Sequence, residues 1–405
     1  MIYDVIIAGG GAAGLYCACG MDRKVNGLIL ENSSSPGQKL LISGGGMCNL
    51  SHGGSVKDFI PCYFEAGPKI RSCLYKYGNL KLMEFFRDRG LHLYIRDDGK
   101  IFPESEKAKD VLDALVRGAR ENGFEIMTGH KVDRISPLEK GSLWEVTAGG
   151  KTFRCRNLVI ACGGSSFPKT GSDGSISGVL TRDIPGLSEN IVKPQPALAP
   201  VYVEGYPYGG LSGVSFSRVS AEAFAPDGKP LAKITGPLLF AEKFLSGPVI
   251  LHISRYLNPG CKLSINYLPD AKITAKEING LLSESRKSPA NTAAEIFGLP
   301  KSFTQLLEDE SCGKLSAISR RLMTDTFTVS KVAGFDAAMA TRGGVSLDAV
   351  STKTFEVKSC PGLFIIGETL DVDGMTGGYN LQFAFSSAMA AAAEIGKTLE
   401  PFPVP

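Results

Sequence analysis

Residues 3–20 read YDVIIAGGGAAGLYCACG. Residues 3–8 are a short apolar run rich in β-branched side chains, as a parallel strand buried on both faces requires. Gly9, Gly11 and Gly14 follow in the spacing GxGxxG and open a segment of helical character. A second strand is expected at 27–31, GLILE, and its last residue, Glu31, lies 22 positions after Gly9. Strand, glycine turn, helix, strand and terminal acid together point to a dinucleotide fold. Gly9 permits the tight turn, Gly11 lets the backbone approach a pyrophosphate, and Gly14 lets the helix pack closely on the sheet. The helix start at Ala12 and Ala13 offers N–H groups and a partial positive charge to phosphates. Glu31 can accept hydrogen bonds from ribose hydroxyls, and its charge disfavours a 2′-phosphate there. The motif by itself does not choose between FAD and NAD.

At 405 residues the chain is too long for one simple core. Its 43% apolar and 21% charged content is ordinary for a globular protein, and a net charge of +3 neither demands nor excludes nucleic acid. Ten cysteines are spread over the whole length with no CxxC pair and no metal-ligand spacing. Reduced thiols in the cytoplasm are expected, with no metal. The N-terminus runs straight into a strand, so no leader peptide is expected. Residues 374–393 carry no charge over twenty positions, but Asn380, Gln382, three glycines and two serines make them a poor lipid-facing span. A buried helix entered through a polar loop fits better.

Residues 361–382 read PGLFIIGETLDVDGMTGGYNLQ. A buried-strand run ends at Gly367 and Glu368, and Glu368 is expected to reach the ribityl chain of a flavin. The following Gly378, Asn380 and Leu381 open an Ala-rich helix. Its N-terminus would stabilise negative charge on the N1–C2=O edge of a reduced flavin. Between the two ends, residues 128–161 read as hairpin strands returning to a central buried strand that ends Ala161-Cys-Gly163-Gly164. Such a meander is suited to cover the adenosine half of FAD.

The stretches GQKLLISGGGMCNLS, FPESEKAKDVLDAL, SSFPKTGSDG, TRGGVSLDAV and GLFIIGETLDVDGMTGGYNLQFAFSSA run in order nearly from end to end. In these the chain resembles the NAD(P)/FAD-dependent oxidoreductases of the YhiN/BaiN type, which include aminoacetone oxidase-like flavoproteins. The resemblance implies an α/β fold. A Rossmann-like FAD-binding domain, with a parallel sheet and a β-meander, would be split by an inserted β-barrel-like domain and a small helical subdomain. It carries FAD contacts over to Gly9, Gly11, Ala12, Ala13, Gly14, Glu31, Lys39, Val132, Ala161, Gly163, Gly164, Gly367, Glu368, Asp371, Gly378, Asn380 and Leu381. Ser43, Gly44, Gly45, Gly46 and Asn49 carry over as the loop beside the flavin. The chain departs from the family pattern at Met47, usually Arg, and at Ser51 and His52, usually Thr-Asn. A usual Phe-Thr-His-x-Gly-x-Ser-Gly-Pro appears as Phe240-Ala-Glu-Lys-Phe-Leu-Ser-Gly-Pro248, so that Glu242 replaces a histidine and Phe244 a glycine.

The Pro194-Gln-Pro196 step marks a boundary. The expected division is 1–192 and 332–405 for the FAD domain, 193–273 for a β-rich insert and 274–331 for its helical part. A small-molecule substrate is expected in the cleft between domains, with no membrane association. The leading expectation is an NAD(P)H-driven reductase that passes hydride from flavin N5 to an activated C=C, of enone type. Oxidation of a small amine with O2 as acceptor, reduction of uracil in RNA, and a non-enzymatic FAD-binding regulator stay open as alternatives. Cys48 and Tyr379 are the candidate proton donors.

Overall fold

The computed structural model describes residues 1–22, 24–138 and 143–399. The chain divides into two compact units. One joins Met1–Gln195 with Ala340–Pro405; the other is Pro196–Met339.

In the first unit, strand Ile2–Ala8 lies at the middle of a seven-stranded sheet. It pairs in parallel with Gly27–Leu30 on one side and Lys151–Ile160 on the other. Phe124–Met127 extends the sheet in parallel beyond Gly27–Leu30. The far half of Lys151–Ile160 pairs in parallel with Leu363–Ile365, so the C-terminal segment completes a sheet begun at residue 2. Its near half runs antiparallel to Leu143–Ala148, which pairs antiparallel with Val132–Leu138. These three strands are the meander expected from the sequence.

Helix Ala12–Cys19 is almost wholly buried against Ala108–Glu121 and the long helix Tyr379–Thr398. Gly118 permits the first of these approaches, since a Cβ there would lie 2.9 Å from Cys19 Sγ, while Gly14 lets the helix close onto the glycine turn, where a Cβ would lie 2.0 Å from the Gly9 carbonyl oxygen. Cys17 and Cys19 are buried here as small apolar side chains. Tyr379–Thr398 is amphipathic only weakly because both its sides are covered. Among the described residues no helix is long and apolar enough to cross a membrane.

The second unit holds a closed barrel in the order Val201–Val203, Leu245–Ser246, Pro230–Phe240, Ser215–Phe224, Lys262–Asn266, Asp325–Val332. Four helices, Ala275–Glu284, Pro289–Phe297, Lys301–Glu310 and Leu315–Met323, lie between its last two strands in sequence. Thr274 and Glu277 form a capping box on the first of these. The sequence division at 331/332 needs correction. Residues 325–332 are not part of the helical segment but the strand that closes the barrel, with Asp325, Phe327 and Val329 facing inward. A strand-period pattern of eight residues following a helix is easily absorbed into the helix when its pairing partners are more than fifty residues away.

The barrel core holds a polar network. The Asp325 carboxylate accepts from the Tyr208 hydroxyl, from the Tyr267 hydroxyl at 3.0 Å and from Arg321 Nε at 3.2 Å. Arg321 also reaches Glu310 at 2.6 Å. Burial raises the Asp325 carboxyl above its ordinary value, with Arg321 opposing it. Removing one member strands the others in a dry core. Asp325→Ala should lower stability by about 3 kcal/mol, and Tyr267→Phe by about 1–2 kcal/mol. Urea denaturation followed by circular dichroism measures both; equal midpoints for wild type and Asp325→Ala would show that the network contributes nothing.

Candidate functional site

The glycine turn ends at Gly11, which sits at the N-cap of Ala12–Cys19 in extended conformation. No side chain caps this helix and no acid stands in its first turn. A Cβ at Gly11 would meet nothing within 4 Å, so open space lies beside the helix start. Both features fit a pyrophosphate. Glu31 is buried at the end of its strand. It accepts the Gly10 N–H at 2.8 Å and the Ser33 N–H at 2.6 Å, one on each oxygen. A carboxylate has about four acceptor positions, so two remain for ribose hydroxyls. Val132 and Ala161 are buried close to this end, and the Thr170 carbonyl accepts from Ser33 Oγ at 3.4 Å.

Glu368 is different, because donors of the protein itself surround it. Its Oε1 accepts from the Thr341 N–H at 2.8 Å and from Ser166 Oγ at 3.1 Å. Its Oε2 accepts from Lys39 Nζ at 2.8 Å and from the Gly164 N–H at 3.3 Å. About four acceptor positions are available to a carboxylate, and the protein supplies a donor for each. Burial works against its charge, but Lys39 and the other donors outweigh that and hold the carboxyl below its ordinary value. Lys39 also donates to Ser166 Oγ at 3.0 Å and keeps a third proton. Asp371 is likewise turned inward, accepting the Gly343 N–H at 2.8 Å. Gly163 and Gly164 pack against Ser172 and Thr341, and Gly367 against Ala13.

The loop Ser43–Gly46 is exposed at its three glycines, all of which have positive φ (57°, 69° and 91°). Met47, half-buried, closes it. Cys48 has φ of 62°, which turns its side chain inward, and it is fully buried. Burial pushes its thiol up to about 12. A thiol with no exposed surface has no path to a substrate, so packing is the role its geometry supports. Asn49, with its amide oriented to suit its neighbours, donates to the Ser51 carbonyl at 2.8 Å and accepts from the Gly378 N–H at 3.1 Å.

That last bond ties the glycine loop to the C-terminal helix. Ser51 Oγ donates to Gln382 Oε1, and a Cβ on Gly378 would lie 2.3 Å from the Ser51 carbonyl oxygen, so only glycine permits the approach. No side chain caps Tyr379–Thr398 and no acid stands in its first turn. Asn380 does not cap it either: its amide is turned back, accepting the Gly374 N–H at 2.8 Å and donating to the Gly374 carbonyl at 3.0 Å. Leu381 follows, half-buried. The Tyr379 ring stacks on His52 with centroids 5.3 Å apart and an interplanar angle of 12°. Phe59 and Tyr63 meet it edge-on. Burial, followed by a hydrogen bond with Cys62, raises the Tyr379 phenol well above its ordinary value, so it stays protonated.

Three residues that organise the site had no distinct signal in sequence: Ser166, Thr341 and Tyr63. Thr341 Oγ1 accepts the Ser165 and Ser166 N–H groups at 2.7 and 3.0 Å. Their stretches, SSFPKTGSDG and TRGGVSLDAV, carry the resemblance, but the Thr341 hydroxyl announces no partner 175 residues away.

The family model described as HI0933-like protein Rossmann domain matches residues 3–394, and the chain belongs to that family. It is 30% identical to the ribosomal RNA dihydrouridine synthase of Escherichia coli (strain K12), over 97% of this chain and 98% of that protein. It is 31% identical to the 3-dehydro-bile acid delta(4,6)-reductase of Clostridium scindens, over 96% of this chain and 98% of that protein. Among solved structures, a flavocytochrome c3 fumarate reductase in open conformation aligns with a TM-score of 0.53 at 15% identity, over 98% of this chain and 78% of that one. A 3-ketosteroid delta1-dehydrogenase from Sterolibacterium denitrificans aligns at 0.51 and 12%, over 98% and 100%. At such identities the last two show the fold alone. The protein is a Rossmann-type, FAD-dependent oxidoreductase.

Glu368 supplies a test through pH. Its folded carboxyl lies below the ordinary value, so its stabilisation is present above about pH 4.3, the unfolded value, and is lost as pH falls through the folded one. Glu368→Gln should therefore be less stable than wild type at pH 7 by about 1–3 kcal/mol, with the gap closing below about pH 4. Thermal melts of the apoprotein across pH 3–7 measure this; a gap independent of pH would remove the carboxylate charge from the account.

Proposed function

We propose that this family member is an NAD(P)H-driven reductase of a carbon–carbon double bond conjugated to a carbonyl. The carrying observation is that two relatives at about the same identity, each aligned over nearly the whole chain, are named for such bonds. Dihydrouridine is uridine whose ring double bond, conjugated to a carbonyl, has been saturated. A delta(4,6)-reductase of a 3-dehydro acid saturates double bonds conjugated to a ketone. The shared chemistry is hydride addition at the β-carbon and proton addition at the α-carbon.

FAD, when bound, supplies the two-electron step, taking hydride from NADH or NADPH and delivering it to the β-carbon. The chain's residues hold and orient it. Gly11 and the start of Ala12–Cys19 take the pyrophosphate, with Gly9 and Gly14 setting the turn. Glu31 takes ribose hydroxyls on its two open acceptor positions. Lys39 offers its third proton, and the loop of Gly44, Gly45 and Gly46 keeps side chains away from the ring. The uncapped start of Tyr379–Thr398 takes the N1–C2=O edge, where its N–H groups stabilise added negative charge. The Tyr379 hydroxyl, at the start of the same helix, is the source for the α-carbon proton.

Anaerobic stopped-flow separates the half-reactions. NADH or NADPH should bleach the bound flavin, and either a steroidal enone or a uracil-containing ribosomal RNA fragment should restore its colour. Failure of both nicotinamides to reduce it, or reoxidation by oxygen alone, would overturn the proposal. Tyr379→Phe should leave flavin reduction unchanged and slow reoxidation by substrate about 100-fold; equal slowing of both half-reactions would remove Tyr379 as proton source.

A further inference from the structure

We infer that Tyr63 is a positioning residue for the redox reaction: through the Tyr379 carbonyl, its hydroxyl fixes where the start of the C-terminal helix meets the flavin. This rests on the FAD reading above and adds to it a residue that touches no cofactor.

Tyr63 lies in the 3-10 segment Ile60–Ala66 and is 1% exposed. Its hydroxyl donates to the Tyr379 carbonyl oxygen at 2.8 Å. Burial keeps the phenol protonated and therefore a permanent donor. One residue earlier, the Cys62 carbonyl accepts the Met375 N–H at 2.9 Å. Two adjacent residues thus clamp both ends of the turn 375–379 that delivers the chain to the helix. The ring also fits the turn: a Cβ on Gly374 would lie 3.2 Å from the Tyr63 ring and 3.0 Å from the Tyr379 Cβ.

The bond is not needed to form the helix. In a regular helix the carbonyl of the first residue already accepts the N–H four positions on, so the second donor holds position rather than structure. Position matters here because the field of a helix end falls off within its first turn. A start released by a few tenths of an ångström stabilises charge on a reduced flavin less well, while the fold and pocket persist. The other fastenings of this end, Asn49 to Gly378 and Ser51 to Gln382, act on neighbouring atoms and leave the Tyr379 carbonyl to Tyr63.

The test is the flavin midpoint potential of Tyr63→Phe, measured on the FAD-loaded protein by photoreduction against a reference dye. This needs neither NAD(P)H nor substrate, so its outcome is separate from that of the proposed reaction. The expected result is a more negative potential, equivalent to about a tenfold shift from reduced toward oxidised flavin, with FAD binding retained. Tyr267→Phe, which removes a buried phenol from the barrel, should reduce thermal stability and leave the potential unchanged. An unchanged potential in Tyr63→Phe overturns the inference. So does loss of FAD binding, because that would assign the hydroxyl to assembly of the pocket, and so does an equal shift in Tyr267→Phe.

Discussion

The carboxylate of Glu368 is the point at which the first unit is tied together. It gathers donors from three places in the chain, Lys39, the loop of Gly164 and Ser166, and Thr341, that span over three hundred residues. Loop closure over such separations costs entropy, and a charge taken part-way out of water must be compensated by hydrogen bonds. Both costs are met only if these segments arrive together. The strand Leu363–Ile365 completes the sheet begun by Ile2–Ala8, and Glu368 follows it at the end where the glycine turns lie. The insertion of a whole barrel unit between the two parts is tolerable because this fastening and the sheet pairing hold the interrupted domain closed.

A second fastening works at the other end of the candidate flavin site. The strand Ser51–His52 pairs with Lys100–Pro103 and lies against Gly378. Asn49, Ser51 and Tyr63 each bind the loop or first turn of Tyr379–Thr398. The glycine cluster at 44–46 and the Gly-Gly turn at 377–378 are therefore two sides of one junction. The first keeps side chains out of the space beside it; the second allows the backbone of residue 51 to approach. Cys48 between them is a buried filler whose left-handed backbone turns the chain from the loop into the strand.

The two acids that the dinucleotide pattern brings forward have separate tasks, and hydrogen-bond capacity distinguishes them. Glu31 has two donors and open positions; Glu368 has a protein donor for each of its about four positions. One is suited to a ligand and the other to the architecture around it. The same reasoning places Asn380 with the architecture, since its amide is spent on Gly374, while its helix keeps an uncapped start.

Local spacing was enough for much of the fold. The run at 3–8, the glycines at 9, 11 and 14 and the acid at 31 are set by contacts within one βαβ unit, so their pattern is written in consecutive residues. Other features depend on partners far away in sequence. Residues 325–332 became a barrel strand because strands at 201–203 and 262–266 stand on either side. Glu368 was legible as an acid after a buried strand, but its donors come from three distant segments: a short helix, a loop and a strand. Tyr63 gave no signal, because an aromatic in the apolar run Phe59-Ile-Pro-Cys-Tyr-Phe64 reads as core until its hydroxyl is seen to meet the Tyr379 carbonyl. The sequence by itself determined the dinucleotide fold and the family, since both rest on short-range periodicity and motif. Only the tertiary structure decided which polar groups are already satisfied within the protein and which are left for a ligand, because hydrogen-bond saturation depends on distance in space.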